Sequence, residues 1–347
     1  MNVTIQELVT AMIKTPAFAV TVVLILGVIL VNGWTDAPNA IATTVATGTL
    51  GIRSAIFFAA AMNFLGLWLT TRGNSAVAAS LYHLAEFEDG SGRGIVALCA
   101  AFAAILLWSV FAWWWGIPTS ESHALIAGLS GASVALGSSV SGINRFEWIR
   151  VFAGLFGSIA IGCIAGAAFC LLFRKLETKK QVNPRRQRHL QILACGVMAF
   201  LHGAQDGQKF LGVLLLGIHL HSRMFYESGH PIPGWMVLLC AGTMALGTAF
   251  GGRRIIQKVG NELVPLEPPQ ALAADAAGIL SVTLATVLGI PVSTTHAKTA
   301  AILGAGTAVS RSSVNWKLAS EMMLTWVVTF PGCGILGFVV TKLFLHR

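Results

Sequence analysis

Two carboxylates in apolar stretches of this chain are each followed, three residues later, by a polar side chain that could act with them. Asp36 precedes Asn39 in the segment NGWTDAPNA. Asp206 precedes Lys209 in the segment HGAQDGQKF. Carboxylate and amide oxygens can ligate a cation, whereas an ammonium group repels cations and attracts anions. Acidic residues in such surroundings are costly and commonly mark ion pathways, so the two pairs predict an ion-handling site.

A second kind of polar cluster carries runs of hydroxyl side chains. GIPTSESHA contains Ser120 and Ser122, and GIPVSTTHA contains Ser293, Thr294 and Thr295. Hydroxyls and free backbone N–H groups at a helix start bind small oxyanions. The alternative is that these hydroxyls bond back to carbonyls of their own helices, which is common in membrane helices. Because the pattern GIPxSxxHA occurs twice, we favour the anion site.

The backbone around these clusters is expected to be irregular. Pro118 and Pro291 suit the first turn of a helix, so we expect each GIP segment to form the tip of a re-entrant hairpin. The residues that we expect to interrupt helices near the middle of the membrane are Gly33, Pro38, Gly203 and Gly207. Unpaired backbone groups at that depth must line a cavity or meet a ligand. Each Asp could also cap a broken helix, a role that is compatible with transport.

The two kinds of cluster recur in the same order and at nearly equal spacing. Asp36 precedes Ser120 by about the same distance along the chain as Asp206 precedes Ser293. An internal duplication of polar clusters within apolar sequence is typical of transporters built from two pseudo-symmetric halves. The ligand site of such transporters lies where the halves meet.

Composition places the chain in the membrane. Of its 347 residues, 55% are hydrophobic and 11% are charged, whereas soluble domains carry roughly 25% charged residues. Apolar stretches predict an all-α, multi-pass protein of about ten to twelve membrane segments, in contact with lipid, in the cytoplasmic or plasma membrane. The longer stretches are 17–33, 54–70, 94–115, 151–173, 190–201, 210–220, 235–250, 271–290 and 318–345.

The distribution of basic residues predicts the topology. The formal net charge is +9, and many of the basic residues are concentrated between the two halves, so a nucleic-acid partner is not expected. By the positive-inside bias this segment is cytoplasmic. We divide the chain into a first membrane repeat at 1–173, a basic cytoplasmic linker at 174–189 and a second membrane repeat at 190–347. An odd number of crossings in each half would make the repeats inverted, and their clusters would face each other.

Three further titratable residues are candidates for a coupling ion. Glu121 lies within the first hydroxyl run, and His123 and His296 follow the two runs at equivalent positions. Imidazole titrates near neutral pH, which suits a proton relay, although we slightly favour hydrogen bonding to neighbouring carbonyls for both histidines. Lys209 could replace one bound cation with a fixed positive charge. Proton coupling, or uptake of a neutral metal–anion complex, then becomes the better prediction than sodium coupling. Asp36, Asn39 and Asp206 are the remaining coupling-ion candidates.

These motifs resemble the inorganic phosphate transporter (PiT) family over nearly the whole chain. The residues that carry the resemblance are Gly33 to Ala40, His202 to Lys209, GIPVSTTH and the stretch Thr325 to Pro331. The Gly-Gln-Lys ending at Lys209 resembles the bacterial, proton-coupled branch that moves metal phosphate. The resemblance implies substrate and ion contacts at Asp36, Asn39, Ser120, Ser122, Asp206, Ser293, Thr294 and Thr295.

The chain departs from the family pattern at two places. Glu121 stands where the family has a small or hydroxyl residue, and a carboxylate there repels phosphate unless it is protonated or metal-bound. Gln205 replaces the Asn that precedes Asp206 in the family, and Thr35 stands at the equivalent place in the first motif. These departures leave the choice of anion and of coupling ion open.

The resulting hypothesis is secondary active symport of inorganic phosphate by alternating access, without a cofactor and with H⁺ as the coupling ion. Sodium-coupled phosphate or sulfate transport is the alternative. A membrane enzyme that handles phosphate is a remote alternative, because catalysis needs an asymmetric constellation whereas both Asp and both His recur in matched halves. A passive channel fits a closed, two-sided site less well than a carrier does. Arsenate as a substrate, a bound metal and a homodimer stay open.

Overall fold

The computed structural model describes residues 3–87, 92–115, 119–137, 139–179, 183–226 and 230–346. Within these ranges the protein is helical and forms no β-strand. Its α-helices are α1 (Ile5–Lys14), α2 (Pro16–Thr35), α3 (Ala37–Ala46), α4 (Ile52–Gly73), α5 (Ala76–Tyr82), α6 (Arg93–Trp114), α7 (Glu121–Gly137), α8 (Arg145–Lys179), α9 (Pro184–Ser222), α10 (Gly234–Phe250), α11 (Arg253–Gln257), α12 (Pro268–Val287), α13 (Thr294–Val309) and α14 (Trp316–Leu345). Short 3₁₀ turns cover Val140–Gly142 and Arg311–Ser313, and a π turn covers Lys258–Glu262.

Six helical segments are long and apolar enough to cross a membrane, or seven if α10 and the bent segment after it form one span, counted over the described residues. They are the α2–α3 unit, α4, α6, α8, α12 and α14. The prediction of an all-α, multi-pass membrane protein is confirmed. Helix α9 is longer than any of these, but polar residues around Asp206 and Lys209 interrupt its apolar sequence. The apolar stretches 190–201 and 210–220 are therefore parts of one helix.

The equivalent helices of the two halves run in opposite directions. Near the start of α2, the Phe18 ring stacks on His221 near the end of α9, with ring centroids 4.4 Å apart. Near the end of α2, the Asn32 side chain lies 3.4 Å from Asp206 in the middle of α9. The helices α2 and α9 are therefore antiparallel. The predicted inverted repeat is present.

Contacts between helices also occur in matched pairs across the two halves. Helix α9 packs on α4 as α2 packs on α10, and α13 packs on α8 as α14 packs on α7. Each half therefore completes its core with a helix from the other half. Small residues allow these close approaches: a Cβ on Gly203 would lie 2.1 Å from the Asn63 carbonyl oxygen, and one on Gly247 would lie 2.0 Å from the Leu30 carbonyl oxygen.

The expected helix interruptions occur in only one half. Helix α2 continues through Gly33 to Thr35 and α3 begins at Ala37, so the helix is interrupted at Asp36 and the prediction of a break at Gly33 was wrong. Pro38 has no N–H with which to continue the helical ladder. In the second half α9 continues through Gly203 and Gly207, and the prediction of a break there was wrong. Gln208 stands where the first half has Pro38, and the two glycines serve close packing against α4.

The two hairpins are formed by α6 with α7 and by α12 with α13. We call residues 288–293 the second tip, and Trp115, Thr119 and Ser120, which are the described residues of the equivalent segment, the first tip. Pro291 was expected in the first turn of α13, but it precedes the N-cap, Ser293, in a non-helical segment. The Ser293 hydroxyl accepts a hydrogen bond from the His296 N–H, so the expected hydroxyl cap is present. Gly116 and Pro118 lie outside the described residues.

The basic segment predicted as a linker is largely helical. Residues 174–179 continue α8, and 184–189 form the first turns of α9. Because α8 begins at Arg145, the loops around residues 83–87 and 139–144 lie at the opposite end of the bundle, joined by the bridge between Ala85 and Ile143. If the basic segment is cytoplasmic, this opposite end faces outward.

Candidate functional site

The break between α2 and α3 exposes Asp36 to the first hairpin. Its carboxylate accepts hydrogen bonds from the Asn32 amide at 3.4 Å and from the backbone N–H of Glu121 at 3.3 Å. The Asn39 amide donates to the Asp36 carbonyl oxygen and to the Thr295 hydroxyl, both at 3.0 Å. The segment around the α2–α3 break therefore contacts both hairpins.

The corresponding carboxylate in the second half is held by an ammonium group. Lys209 Nζ donates to Asp206 Oδ1 and to the Ser122 hydroxyl, both at 2.6 Å, and also to the carbonyl of Val292. The Thr294 hydroxyl donates to Asp206 Oδ2 at 3.2 Å. Lys209 therefore joins α9 to both hairpins, as Asn39 joins α3 to the second.

A pseudo-two-fold axis passes between the hairpins. The contact between Asn39 and Thr295 is the counterpart of the contact between Lys209 and Ser122, since these residues occupy equivalent motif positions. On the axis itself, the hydroxyls of Ser120 and Ser293 lie 2.9 Å apart. The N-terminal ends of α7 and α13 thus meet, and each brings the backbone N–H groups of its first turn to one place.

All twelve residues predicted from the sequence lie in this region and are no more than 3% exposed. They are Asp36, Asn39, Ser120, Glu121, Ser122, His123, Asp206, Lys209, Ser293, Thr294, Thr295 and His296. The duplicated motifs therefore converge, and in this conformation they are closed to both sides of the membrane.

Glu121 gives the site an excess of carboxylates. Its side chain accepts hydrogen bonds from the Ser109 hydroxyl and, at 3.4 Å, from the Thr35 hydroxyl. Three carboxyl groups, those of Asp36, Glu121 and Asp206, are buried here, and that of Asp206 is bonded to the Lys209 ammonium group. Buried charges cost several kcal/mol each unless they are paired. The arrangement therefore suits protons or cations as well as an anion.

The two motif histidines contact each other and aromatic rings. The rings of His123 and His296 are perpendicular, with centroids 4.3 Å apart, and His296 stacks on Trp326 at 3.7 Å. Neither ring nitrogen of His296 has a hydrogen-bond partner within the described part of the chain. The expected hydrogen bond from this histidine side chain to a neighbouring carbonyl is therefore not formed.

Sequence reasoning missed residues that support Asp206 from behind. His202 Nε2 lies 3.2 Å from Asp206 Oδ2, and His202 Nδ1 lies 3.0 Å from the Asn63 side-chain oxygen. His202 is one helical turn before Asp206, but Asn32 stands at the equivalent position in the other half, so the duplication gave no signal for it. Asn63 lies on α4 outside every motif, so its sequence position gave no signal.

A second buried ion pair lies deeper in the second half. The Lys298 ammonium contacts the Asp275 carboxylate and lies 3.2 Å from the Thr43 hydroxyl, which itself donates to Asp275 at 2.7 Å. Both side chains of the pair are fully buried. Leu125 stands at the position equivalent to Lys298 in the first hairpin, so this pair is not duplicated.

At the end of the bundle opposite the basic segment, a cavity of about 480 Å³ adjoins the second tip. Arg150 donates to the carbonyls of Leu288 at 3.3 Å and Gly289 at 2.8 Å, and it pairs with Glu147. Burial lowers the pKa of His83 in the cavity wall. These contacts hold the second tip closed on this side.

One family profile matches the chain twice, once in each half. The profile described as "Phosphate transporter family" matches residues 32–188 and again residues 177–337. The first match contains the first pair of motifs and the second match contains the second pair.

Individual relatives are similar over most of their length. A protein of Bacillus subtilis (strain 168) named a probable low-affinity inorganic phosphate transporter is 33% identical over 313 residues, which cover 89% of this chain and 91% of the relative. One of the same name from Rhizobium meliloti (strain 1021) is 34% identical, covering 88% and 90%. A solved structure titled "The sodium-dependent phosphate transporter" superposes with a TM-score of 0.76 at 19% identity, over 96% of this chain and 100% of the other. The two proteins therefore share a fold.

Proposed function

This chain belongs to the phosphate transporter family, and from that premise we propose that it is a secondary active symporter of inorganic phosphate that works by alternating access. It is a transporter and not an enzyme. The observation that carries the proposal is the meeting of the two hairpin ends at Ser120 and Ser293, on the axis between inverted halves.

The substrate would lie between the N-terminal ends of α7 and α13. Backbone N–H groups at these ends and the hydroxyls of Ser120 and Ser293 are donors for phosphate oxygens. Lys209 supplies the positive charge, and the phosphate O–H groups can donate to Asp36 or Asp206. Sulfate has no such proton at neutral pH, so we propose that phosphate is preferred over sulfate.

The charge balance supports a coupling ion. The carboxyl groups of Asp36, Glu121 and Asp206 exceed the charge of Lys209, and an added phosphate anion would raise the negative charge further. At several kcal/mol per uncompensated buried ion, an anion can enter only together with positive charge. We propose protons, because Lys209 Nζ occupies one side of the Asp206 carboxylate that a second cation would need. Sodium, and a metal ion travelling with phosphate, are the alternatives.

Alternating access would open the two tips in turn. On the side of the cavity the second tip is held by Arg150 and by the Ser80 hydroxyl, which donates to the Gly289 carbonyl at 3.2 Å. On the opposite side the Arg254 guanidinium lies 3.5 Å from the carbonyl of Trp114, next to the first tip. Breaking one set of contacts while keeping the other would expose the site to one side only.

The test is uptake of radiolabelled phosphate into proteoliposomes that contain the purified protein. Proton and sodium gradients are imposed separately, and unlabelled sulfate and arsenate are added as competitors. We expect accumulation driven by a proton gradient, accelerated exchange with internal phosphate, and little competition by sulfate. Uptake that never exceeds equilibrium would contradict symport, and uptake driven only by sodium would replace the proposed coupling ion.

A further inference from the structure

The hydrogen bonds behind Asp206 fix the state of His202. The Thr248 hydroxyl donates to the Met244 carbonyl at 2.9 Å and therefore offers only lone pairs to its other neighbour. The side-chain amide nitrogen of Asn63 donates to that hydroxyl oxygen at 2.9 Å. The side-chain oxygen of Asn63 is therefore the atom that faces His202. It lies 3.0 Å from Nδ1 of the imidazole. His202 Nδ1 must therefore carry a hydrogen.

The surroundings of the other ring nitrogen, Nε2, indicate whether His202 is charged. His202 Nε2 lies 3.2 Å from Asp206 Oδ2, and both side chains are 1% exposed, so no bulk water separates them. A neutral imidazole with hydrogen on Nδ1 would leave its Nε2 lone pair 3.2 Å from a carboxylate oxygen. Two acceptors at this distance repel each other, whereas one additional proton turns the contact into an attraction.

Building on the phosphate symport proposed above, we propose that His202 and Asp206 together hold the coupling proton. In the closed state the proton lies on His202 Nε2, facing the ionised Asp206. One proton enters with phosphate from one side of the membrane and leaves to water on the other, and His202 is then neutral. No bond other than that to the proton forms or breaks.

The groups around the pair explain why it can load and unload a proton. Lys209 on α9 bonds to the other oxygen of Asp206 and opposes a second positive charge. Asp36 at the α2–α3 break and Glu121 on α7 favour it. The other described side chains that bond to the pair are uncharged: Asn32 on α2 and Thr294 on α13 contact Asp206, and Asn63 on α4 contacts His202. Moving either hairpin away would change the balance between Lys209 and the two acids.

The proposed site exists in one half only. Asn32 occupies the position equivalent to His202, and an amide cannot bind a proton at neutral pH. A His202→Asn substitution therefore gives the second half the side chain of the first. His221→Asn, on the same helix but partly exposed and outside the site, is the matched control.

The first measurement follows proton and phosphate fluxes together in proteoliposomes loaded with a pH-sensitive dye. We expect phosphate uptake by the normal protein and by His221→Asn to acidify the interior. The His202→Asn protein should exchange labelled phosphate across the membrane while its proton flux falls to the level of protein-free liposomes. Proton flux that persists at the normal ratio to phosphate in His202→Asn would overturn the proposal.

The second measurement does not depend on transport. In protein with ¹⁵N-labelled histidine, reconstituted in lipid at neutral pH, the signal lost in His202→Asn identifies His202. We expect the shifts of an imidazolium with both nitrogens protonated; a neutral ring would overturn the proposal even if the variant is inactive. If the normal protein moves no phosphate while His202 is an imidazolium, phosphate symport fails and the proton site stands.

Discussion

Replacing Lys209 by Met gives the sharpest prediction, because its effects on stability and on transport can be measured independently. The ammonium group donates to Asp206, Ser122 and the Val292 carbonyl, and its side chain is 1% exposed. Met keeps the length of the side chain but leaves these acceptors without a donor. Breaking a buried ion pair from one side costs about 3–5 kcal/mol, so we expect a loss of unfolding free energy in that range.

The double variant Asp206→Asn/Lys209→Met tests the origin of that cost. Removing both charges avoids an uncompensated buried ion, so most of the lost stability should return. Transport should not return, because the positive charge for phosphate is still missing. A weakening of 3 kcal/mol corresponds to roughly 150-fold in phosphate affinity at 1.4 kcal/mol per factor of ten.

Denaturant unfolding in detergent and phosphate binding to the same preparations measure the two effects. The expected result is a stability order in which the double variant lies well above Lys209→Met, with phosphate binding absent or strongly weakened in both. Normal phosphate affinity in Lys209→Met would refute the role of the ammonium group. Equal stability of the two variants would refute the ion pair as the source of the cost.

Three further substitutions test the packing, the tip contacts and the second ion pair. Gly203→Ala should destabilise the protein by about 1–3 kcal/mol, because its Cβ would lie 2.1 Å from a carbonyl oxygen of α4. The control Gly242→Ala has nothing within 4 Å of its Cβ. In the same unfolding assay it should be neutral or stabilising by up to about 1 kcal/mol. Arg150→Ala should speed amide hydrogen exchange at the second tip, measured by mass spectrometry, and unchanged exchange would show that the tip is held by other contacts. Lys298→Leu should cost about 3–5 kcal/mol and be largely rescued by Asp275→Ala, and a cost without rescue would point to packing instead of charge.

The composition and the duplicated motifs were sufficient to predict the membrane class, the two inverted halves and the convergence of the motif residues. A motif that occurs twice carries this information because equivalent segments in inverted halves must face each other. Ser120 and Ser293 illustrate the point: their spacing in each half placed both at the axis, and their hydroxyls are in contact.

Other features could not be predicted because they depend on which helix lies opposite. A glycine in an apolar helix is compatible with a break or with close packing, and only the position of α4 shows that Gly203 serves packing. The role of His202 depends on its contact with Asn63, which is far away in sequence and belongs to no motif. Asp275 and Lys298 carried no signal in the sequence, since neither is repeated in the other half.

The central claim is that one oxyanion is held between the hairpin ends at the axis. Locating arsenate by its anomalous scattering in crystals of the protein tests this most directly, since arsenate has the shape and hydroxyl groups of phosphate. We predict a single strong peak within hydrogen-bond distance of the Ser120 and Ser293 hydroxyls. A peak in the cavity beside Arg150, with none between the hairpins, would contradict the claim.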